Sequence, residues 1–302
     1  QEEFYDYYTG RIGTPFNHFS SEFIKATYTN IKTAGDALRS INLFTAHCPT
    51  LESVSARAVM KWIDTETRSQ SSVSKTKTFL SKYWKYLQQR DYVSRDHKPF
   101  TDIELPKTLK TRLPREAYSD DEIALILEFL QLKQDEPLTA ITTLAMYTGA
   151  RISELAGLRV NDVVTADGIT CLKISDAKTK AGNRAVPIHP EIQELVQTLA
   201  TNTTDEYLVS GVKSKGGKDR RADVLGKRYG RLVRNDCKLP KSKVFHCFRN
   251  TVATKLESAG IPENIAADIV GHDKATMTYG LYSGGTSAQQ KFEAVKSIKY
   301  SK

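Results

Sequence analysis

The stretch AMYTGARISELAGL, residues 145–158, sets an arginine between two helical segments. The first segment is apolar and breaks at Thr148-Gly149, because glycine readily interrupts a helix. Arg151 opens the second segment, in which apolar residues return at helical spacing. An arginine in this place either closes a structural salt bridge or meets an arriving anion, and the other motifs of the chain must decide which.

The composition is that of a folded, basic protein. The chain has 302 residues, enough for two domains, and 39% of them are hydrophobic. Its 44 basic and 35 acidic residues leave a net charge of +9, which suits a polyanion such as DNA. No long apolar run occurs, so the sequence predicts no membrane partner. The cysteines are scattered without a CxxC pair, which predicts reduced thiols, no metal site and a cytoplasmic protein.

Residues 1–105 are predicted to form a helical domain. Helical patterning, separated by short polar breaks, occurs in HFSSEFIKATYTN, KTAGDALRSINLFTAH, ESVSARAVMKWIDTET and SVSKTKTFLSKYWKYLQQ. In the last segment, Lys75, Lys82 and Lys85 fall largely off the apolar stripe. These lysines form either a solvated basic face or a face that meets phosphates.

Residues 106–117 are predicted to be an interdomain linker, since Pro106 and Pro114 forbid a continuous helix. Helical structure restarts with a capping box, SDDE, just after this linker. The chain starts at Gln1 rather than Met, which favours a fragment or a processed product.

The second domain, residues 118–302, is predicted to be mostly helical with one small sheet. The strand-like runs CLKIS and RAVPI flank a basic hairpin, DAKTKAGN. Helices are expected near residues 190–200 and 224–236, and the basic, glycine-containing residues 213–221 are expected to form a loop. No GxGxxG or GxxxxGK[ST] motif occurs, which disfavours a nucleotide-dependent motor.

Two further stretches carry candidate chemistry. In HCFRNTVATKLESAG, His246 and Arg249 lie three apart and share a helix face. In GHDKATMTYGLYSGG, His272 follows a helix-ending glycine, and Tyr279 and Tyr282 come shortly after it. Each residue alone is more often structural. Together they suit attack on a phosphodiester, in which arginines clamp the phosphate, a tyrosine is the nucleophile, and histidines and a lysine move protons.

The motifs TGARISEL, KTKAGNRAVP, HCFRNTVAT and GHDKATMTYGLY resemble, in this order, the signature boxes of the tyrosine recombinases, the phage integrase family. The resemblance extends over residues 118–285. It implies a mainly α fold with a small β-sheet, made of an N-terminal helical, SAM-like core-DNA-binding bundle and a mixed α/β catalytic domain with a C-terminal tail. The last motif looks more like mobile-element integrases than chromosome-dimer resolvases.

The resemblance implies six catalytic residues by position, which are Arg151, Lys178, His246, Arg249, His272 and Tyr282. The two arginines would hold the scissile phosphate and stabilise its pentacovalent transition state. His246 would accept a proton or bind the phosphate, and His272 would donate a hydrogen bond to it. Glu154 would support the site without donating a proton.

Two of these assignments have a rival. The family's general acid lies about eight or nine residues before the V-P pair, which favours Lys178 over Lys180. The family's nucleophile comes about nine or ten residues after the histidine, which favours Tyr282 over Tyr279. The candidates for other DNA contacts are Lys75, Lys82, Lys85, Lys180 and Arg184.

The implied reaction is transesterification that needs no cofactor and no metal. Tyr282 would form a 3′-phosphotyrosyl bond, and a homotetramer would exchange strands between double-stranded attachment sites through a Holliday junction. DNA-bending and excision-directing accessory proteins are further partners that the resemblance allows, at the nucleoid in the cytoplasm. An extra N-terminal arm-binding domain, which such integrases often carry, is not evident before the helical module. Two alternatives stay open: a type IB topoisomerase, and a DNA-binding protein without catalysis.

Overall fold

The structure, a computed structural model, describes residues 13–107, 109, 114–175, 182–214, 218–272 and 285–301. The chain divides into two compact units, Gln1–Leu113 and Pro114–Lys302, each with its own hydrophobic core. The boundary between the units falls inside the range that the sequence assigns to a linker.

The first unit is built from helices that correspond to the predicted segments, namely α1 (Ser20–Thr27), α2 (Ile31–Thr45), α3 (Ala56–Asp64) and α4 (Gln70–Gln89). Three of them begin where a polar side chain accepts a hydrogen bond from the first turn. The capping residues are Asn30 for α2, Ser55 for α3 and Ser69 for α4. Such caps satisfy N–H groups that would otherwise have no partner inside the helix.

Aromatic side chains fill the core of the first unit. The rings of Phe44 and Trp62 meet edge to face with centroids 5.4 Å apart, and Phe16 and Tyr83 meet in the same way at 5.4 Å. The Tyr83 hydroxyl donates to the Phe16 carbonyl at 2.9 Å, so its polar end is satisfied although the side chain is buried. The apolar side of α4 therefore faces this core and leaves its lysines outside.

The second unit is mainly helical, with α5 (Asp120–Lys133), α6 (Glu136–Thr148), α7 (Ile152–Gly157), α8 (Gln193–Thr201), α9 (Lys218–Arg231), α10 (Cys247–Ser258), α11 (Glu263–Val270) and α12 (Ala288–Lys296). The predicted capping box is present at the start of α5, where Ser119 and Glu122 exchange hydrogen bonds. Helix α9 begins at Lys218, so the prediction of a loop over 213–221 is wrong in its last residues. The cause is the charged start of α9, residues 218–221 (KDRR), which shows no apolar stripe.

The small sheet has the order β1-β2-β3 and is antiparallel throughout, with β1 (Val163–Ala166), β2 (Ile169–Ile174) and β3 (Arg184–Pro187). Strands β2 and β3 are those predicted as CLKIS and RAVPI. Strand β1 is not among those predicted, although Asp167-Gly168 between β-branched residues is a hairpin signal. The pairing of Ile174 with Arg184 fixes β3 directly after the basic hairpin.

The core of the second unit gathers around α6 and α10. Leu144, Ala145, Phe248 and Val252 are all fully buried there. Helix α9 packs across α7, and α12 packs on α11 and β3. In the part of the chain that the structure describes, no helix has both the length and the apolar character that a bilayer crossing needs.

Candidate active site

Arg151 sits at a sharp change of chain direction. Helix α6 ends at Thr148, and Gly149 follows in the left-handed conformation with φ +60°. Arg151 is then the extended residue that precedes the first turn of α7. A Cβ on Gly149 would lie only 3.2 Å from Val252 and Val270, so a larger residue would be both strained and crowded. The break seen in the sequence is therefore a close crossing of α6 with α10 and α11.

Glu154 holds Arg151 in place. Its carboxylate accepts from the Arg151 backbone N–H at 2.9 Å and from Nη1 at 2.5 Å. The Glu154 side chain is buried, whereas that of Arg151 keeps 36% of its surface exposed. The structure shows the first of the two roles that the sequence allows for Arg151 and leaves room for the second. Arg151 closes a salt bridge, and that bridge fixes a guanidinium that still faces solvent.

Arg249 lies on α10 and is almost wholly buried. Its Nη1 donates to the Gly149 carbonyl at 3.1 Å, its Nη2 to the Gly271 carbonyl at 2.9 Å, and its Nε to His272 Nε2 at 3.1 Å. Burial lowers the pKa of Arg249 to about 10, and the positive charges of Arg151 and Arg184 act in the same direction. The group stays protonated at neutral pH, so the site concentrates positive charge that an anion would relieve.

His272 follows the end of α11. Gly271 ends that helix with φ +77°, and the His272 N–H caps it by donating to the Ala267 carbonyl at 3.0 Å. The Arg249 hydrogen bond then fixes the ring. Because Nε2 accepts that bond, the neutral ring carries its proton on Nδ1. In this tautomer the Nδ1–H group can donate a hydrogen bond to an acceptor such as a phosphate oxygen.

His246 stands at the start of α10, one turn before Arg249, and is half-buried. Burial lowers its pKa, and the nearby positive charges of Arg115, Arg249 and Arg151 lower it further. The imidazole is therefore neutral near neutral pH. A neutral ring can either accept a proton or donate its own N–H.

Arg184 is a buried neighbour of Glu154. The sequence makes it a candidate for a DNA contact, but only 4% of its side chain is exposed. Its Nη2 donates to Glu154 at 3.1 Å, its Nε to the Ile269 carbonyl at 2.7 Å, and its Nη1 to the Gly182 carbonyl at 2.8 Å. All three of its nitrogens thus have protein acceptors. A direct DNA contact of Arg184 therefore stays a prediction, and in this structure its guanidinium is used by protein acceptors.

The two arginines keep Glu154 ionised. Burial alone would raise the pKa of this carboxyl group. The charge of Arg184, together with hydrogen bonds from Arg151 and Arg184, outweighs burial and holds the pKa below its usual value. An ionised Glu154 cannot donate a proton, which agrees with the supporting role expected from the sequence.

The predicted lysines Lys178 and Lys180 and the predicted tyrosines Tyr279 and Tyr282 lie outside the described residues. The structure does describe residues on either side of both segments. Strand β2 ends at Ile174 and β3 begins again at Arg184, beside Glu154.

Beyond the tyrosine segment, the chain is tied back to α11. The Thr286 N–H and hydroxyl donate to Asp268 Oδ2 at 3.0 and 2.6 Å. Asp268 lies one turn before His272, so the described residues that flank the tyrosine segment both rest on the end of α11.

Among the lysines predicted to contact DNA, those on α4 are exposed. Lys75 forms an ion pair with Asp36 at 2.7 Å, and this pair lowers the pKa of Asp36. Lys82 and Lys85 are exposed on the same helix, which has no acidic residue along its length. The outer face of α4 is therefore basic.

Sequence reasoning missed Arg115, which it placed in the linker. Arg115 is exposed, and its carbonyl accepts from the Asn250 amide at 2.8 Å. The Tyr118 N–H donates to Thr251 at 2.8 Å, so this short segment is fastened along α10. The positive charge of the Arg115 side chain lowers the pKa of His246. No sequence signal separates Arg115 from its basic neighbours, because only the docking on α10 selects it.

No group of three or more His, Cys, Asp or Glu side chains suitable for a metal occurs within the described ranges. The four predicted catalytic residues that the structure describes, Arg151, His246, Arg249 and His272, do come together. Arg249 and His272 are linked directly, and the charges of Arg151 and Arg249 act on His246. The arrangement gathers two guanidinium groups and two imidazoles, whose residue types and charge suit an anion such as a phosphate.

Comparison with known proteins agrees with this chemistry. Residues 117–287 match the phage integrase family. A tyrosine recombinase XerC-like protein from Caldanaerobacter subterraneus subsp. tengcongensis is 26% identical over 265 residues, which cover 76% of this chain. The aligned region spans 66% of that relative's length.

The fold is shared with solved integrases. The structure of the Tn1549 transposon integrase, residues 82–397, in complex with circular intermediate DNA matches with a TM-score of 0.68 and 21% identity, covering 91% of this chain and 97% of that one. A lambda integrase tetramer bound to a Holliday junction matches with a TM-score of 0.68 and 17% identity, covering 89% and 81%. At these identities the likeness concerns the fold. Since the matched family region takes in more than half of the chain and all four described site residues, the chain belongs to the phage integrase family, the tyrosine recombinases.

Proposed function

We propose that this protein is a site-specific DNA recombinase, an integrase that integrates or excises a mobile element. The observation that carries the proposal is the meeting of Arg151, His246, Arg249 and His272 at one place. Hydrogen bonds fix the side chains of Arg151, Arg249 and His272, and the excess positive charge of the group is relieved when an anion binds. Folding has already ordered these donors, so they can stabilise a transition state without further rearrangement.

The reaction that fits is a pair of transesterifications. The hydroxyl oxygen of Tyr282 attacks a backbone phosphorus, a 3′-phosphotyrosyl bond forms, and the bond to the 5′ oxygen breaks. Lys178 gives its proton to the leaving 5′ oxygen, with Lys180 as its rival. A 5′-hydroxyl from the partner strand then attacks the phosphotyrosine and releases the tyrosine. Each step exchanges one phosphodiester for another, so no high-energy cofactor is consumed.

The described residues have distinct parts in this scheme. Arg151 and Arg249 bind the non-bridging oxygens and offset the charge of the pentacovalent transition state. His246, neutral near neutral pH, takes the tyrosine proton or binds the phosphate. His272 donates from Nδ1. Arg115, exposed beside His246, contacts a neighbouring phosphate.

The substrate is double-stranded DNA carrying attachment sites. The exposed basic face of α4, with Lys75, Lys82 and Lys85, binds its backbone. A homotetramer carries out strand exchange, and the support for this assembly is the shared fold of the lambda integrase, which forms a tetramer bound to a Holliday junction. DNA-bending and excision-directing accessory proteins are further partners of this proposed assembly, which acts on the nucleoid in the cytoplasm. The relatives described above are recombinases and integrases, so relaxation by a type IB topoisomerase is not favoured.

Covalent trapping tests the proposal. The protein is mixed with nicked duplexes drawn from the DNA that flanks its own gene, so that religation fails, in buffer with a chelator. The mixture is quenched with SDS and digested, and mass spectrometry locates the nucleotide-bearing tyrosine. We expect an adduct on Tyr282 in the wild type and none in Tyr282→Phe.

Tyr279→Phe is the matched control, because it removes the rival hydroxyl and should keep the adduct. An adduct on Tyr279 would keep the reaction and overturn the choice of nucleophile. Tight, salt-sensitive binding without any adduct would favour a DNA-binding protein that lacks catalysis.

A further inference from the structure

We propose that Arg184 is a positioning residue whose buried charge occupies Glu154, so that Arg151 keeps its own charge available to the phosphate. The inference rests on the proposed function, since it concerns the anion that Arg151 binds. Arg184 lies on β3 and is almost closed to solvent, as 4% of its side chain is exposed. In this role its effect on DNA chemistry passes through Glu154, which it contacts.

Glu154 is shared between two guanidinium groups. Its Oε1 accepts from Arg151 Nη1 at 2.5 Å, and its Oε2 accepts from Arg184 Nη2 at 3.1 Å and from the Arg151 N–H at 2.9 Å. A carboxylate with both oxygens engaged divides its charge between its partners. Without Arg184, the negative charge would rest on Arg151 alone.

The net charge around Glu154 allows the proposed role of Arg184 to be tested by phosphate binding. Arg151, Arg184 and Arg249 give three positive charges, and Glu154 gives one negative charge, so the cluster carries +2 (3 − 1). Loss of the Arg184 charge leaves +1. Loss of the Glu154 charge as well restores +2. The ability to bind a phosphate should follow this sum if Arg184 acts by charge.

Arg184 also joins three parts of the site. Its Nε donates to the Ile269 carbonyl in the last turn of α11, and its Nη1 to the Gly182 carbonyl beside the hairpin. A Cβ on Gly271 would lie 2.7 Å from Arg184 Nη1, so the helix end that precedes His272 packs directly on this guanidinium. If Arg184 acted only as a structural bracket, a side chain that holds these backbone segments together, its effect on phosphate binding would not depend on the charge of Glu154.

The two roles predict different outcomes for three variants, which are Arg184→Met, Arg184→Lys and the double variant Arg184→Met with Glu154→Gln. If charge decides, Arg184→Met weakens anion binding and the double variant recovers it. If only the bracket matters, the double variant is as weak as Arg184→Met or weaker. Arg184→Lys keeps the charge and loses two of the three hydrogen bonds. It should therefore bind phosphate almost normally if charge decides, and weakly if the bracket matters.

The first measurement is the dissociation constant for inorganic phosphate, from the rise of the thermal midpoint with phosphate concentration. It needs neither an attachment site nor catalysis. We expect Arg184→Met to bind about 10-fold to 100-fold more weakly, the size of one charge change at this range. The double variant and Arg184→Lys should bind within about 10-fold of the wild type.

The second measurement is the rate of covalent adduct formation on nicked DNA, which should follow the same order. If Arg184→Met fails to fold because buried Glu154 loses one of its two cationic partners, the double variant, which leaves no carboxylate there, still decides by its affinity relative to the wild type. Phosphate binding in this order without any adduct would uphold the role of Arg184 and reject the proposed reaction. Equal weakness of the double variant and Arg184→Met, or no binding of phosphate by the wild type, would overturn the inference.

Discussion

Arg249 donates through Nε to His272 Nε2 at 3.1 Å, and the same guanidinium holds the Gly149 carbonyl on the far side. One buried side chain thus ties the break before Arg151 to the residue that follows α11. The sequence separates these points by more than a hundred residues. Because the contacts are buried, their loss should affect stability as well as chemistry.

Replacement of Arg151 and of Arg249 by glutamine should have different costs. Both variants should slow adduct formation by about 100-fold to 1,000-fold, as when a preorganised charge donor is lost. Arg249→Gln should also lower the free energy of unfolding by about 1–3 kcal/mol, because two buried carbonyls lose their donor. Arg151 is more exposed and should cost less stability. Adduct rates and urea unfolding check both, and equal destabilisation would contradict this division.

Gly271→Ala should destabilise the protein more than Gly168→Ala. Both glycines have left-handed φ values, +77° and +76°, so the backbone strain is matched. A Cβ at 271 would lie 2.7 Å from Arg184 Nη1, whereas at 168 nothing lies within 4 Å. We expect the gap in the free energy of unfolding to be about 1–3 kcal/mol. Urea unfolding of the two variants measures it, and a gap of zero would mean that Arg184 moves aside freely.

Lys82→Ala and Lys85→Ala should weaken DNA binding in a salt-dependent way. Each exposed lysine that meets a phosphate adds about one unit to the slope of log affinity against log salt. The control is Lys61→Ala, which removes the same charge from the exposed side of α3. Titrations at several salt concentrations should give a smaller slope for the α4 variants alone. An equal change in all three would point to net charge instead of a contact face.

Stability should fall as the solution becomes more acidic than about pH 6.5, the ordinary histidine pKa. Burial lowers the pKa of His246, with help from nearby arginines, and burial also lowers that of His189. Between each lowered pKa and the ordinary one, the unfolded chain binds more protons than the folded one, so lower pH favours unfolding. One such group contributes a slope of at most about 1.4 kcal/mol per pH unit.

His246→Asn should reduce this acid sensitivity, and His47→Asn, which changes an exposed histidine, should leave it unchanged. Thermal midpoints at about pH 7.5 and about pH 5.5, on either side of the ordinary histidine pKa, measure the effect. Bound inorganic phosphate should also reduce it, because an anion beside His246 favours its charged form. An unchanged acid sensitivity in His246→Asn would mean that the ring is already protonated in the folded protein.

Local patterns in the sequence are enough to define the helical first unit, the capping box of the second unit and the strands β2 and β3. Polar caps, apolar periodicity and a turn-rich hairpin act over a few residues, so they can be recognised without the fold. The sequence also contains arginines and histidines that could bind a phosphate. They can be recognised because the motifs that carry them occur in the order seen in the tyrosine recombinases. The start of α9 has no clear apolar pattern, whereas strand β1 escapes prediction although Asp167-Gly168 between β-branched residues is a hairpin signal.

The part that each charged group has in the site depends on tertiary contacts. Arg184 and Arg151 are both basic residues beside a turn, yet one is buried against Glu154 and the other faces solvent. The charge of Arg115 acts on His246, and the Arg115 backbone is docked on α10. Burial and partnership arise from contacts between distant segments, and no local pattern records them. The sequence therefore supplied the site's chemistry, and folding assigned the roles.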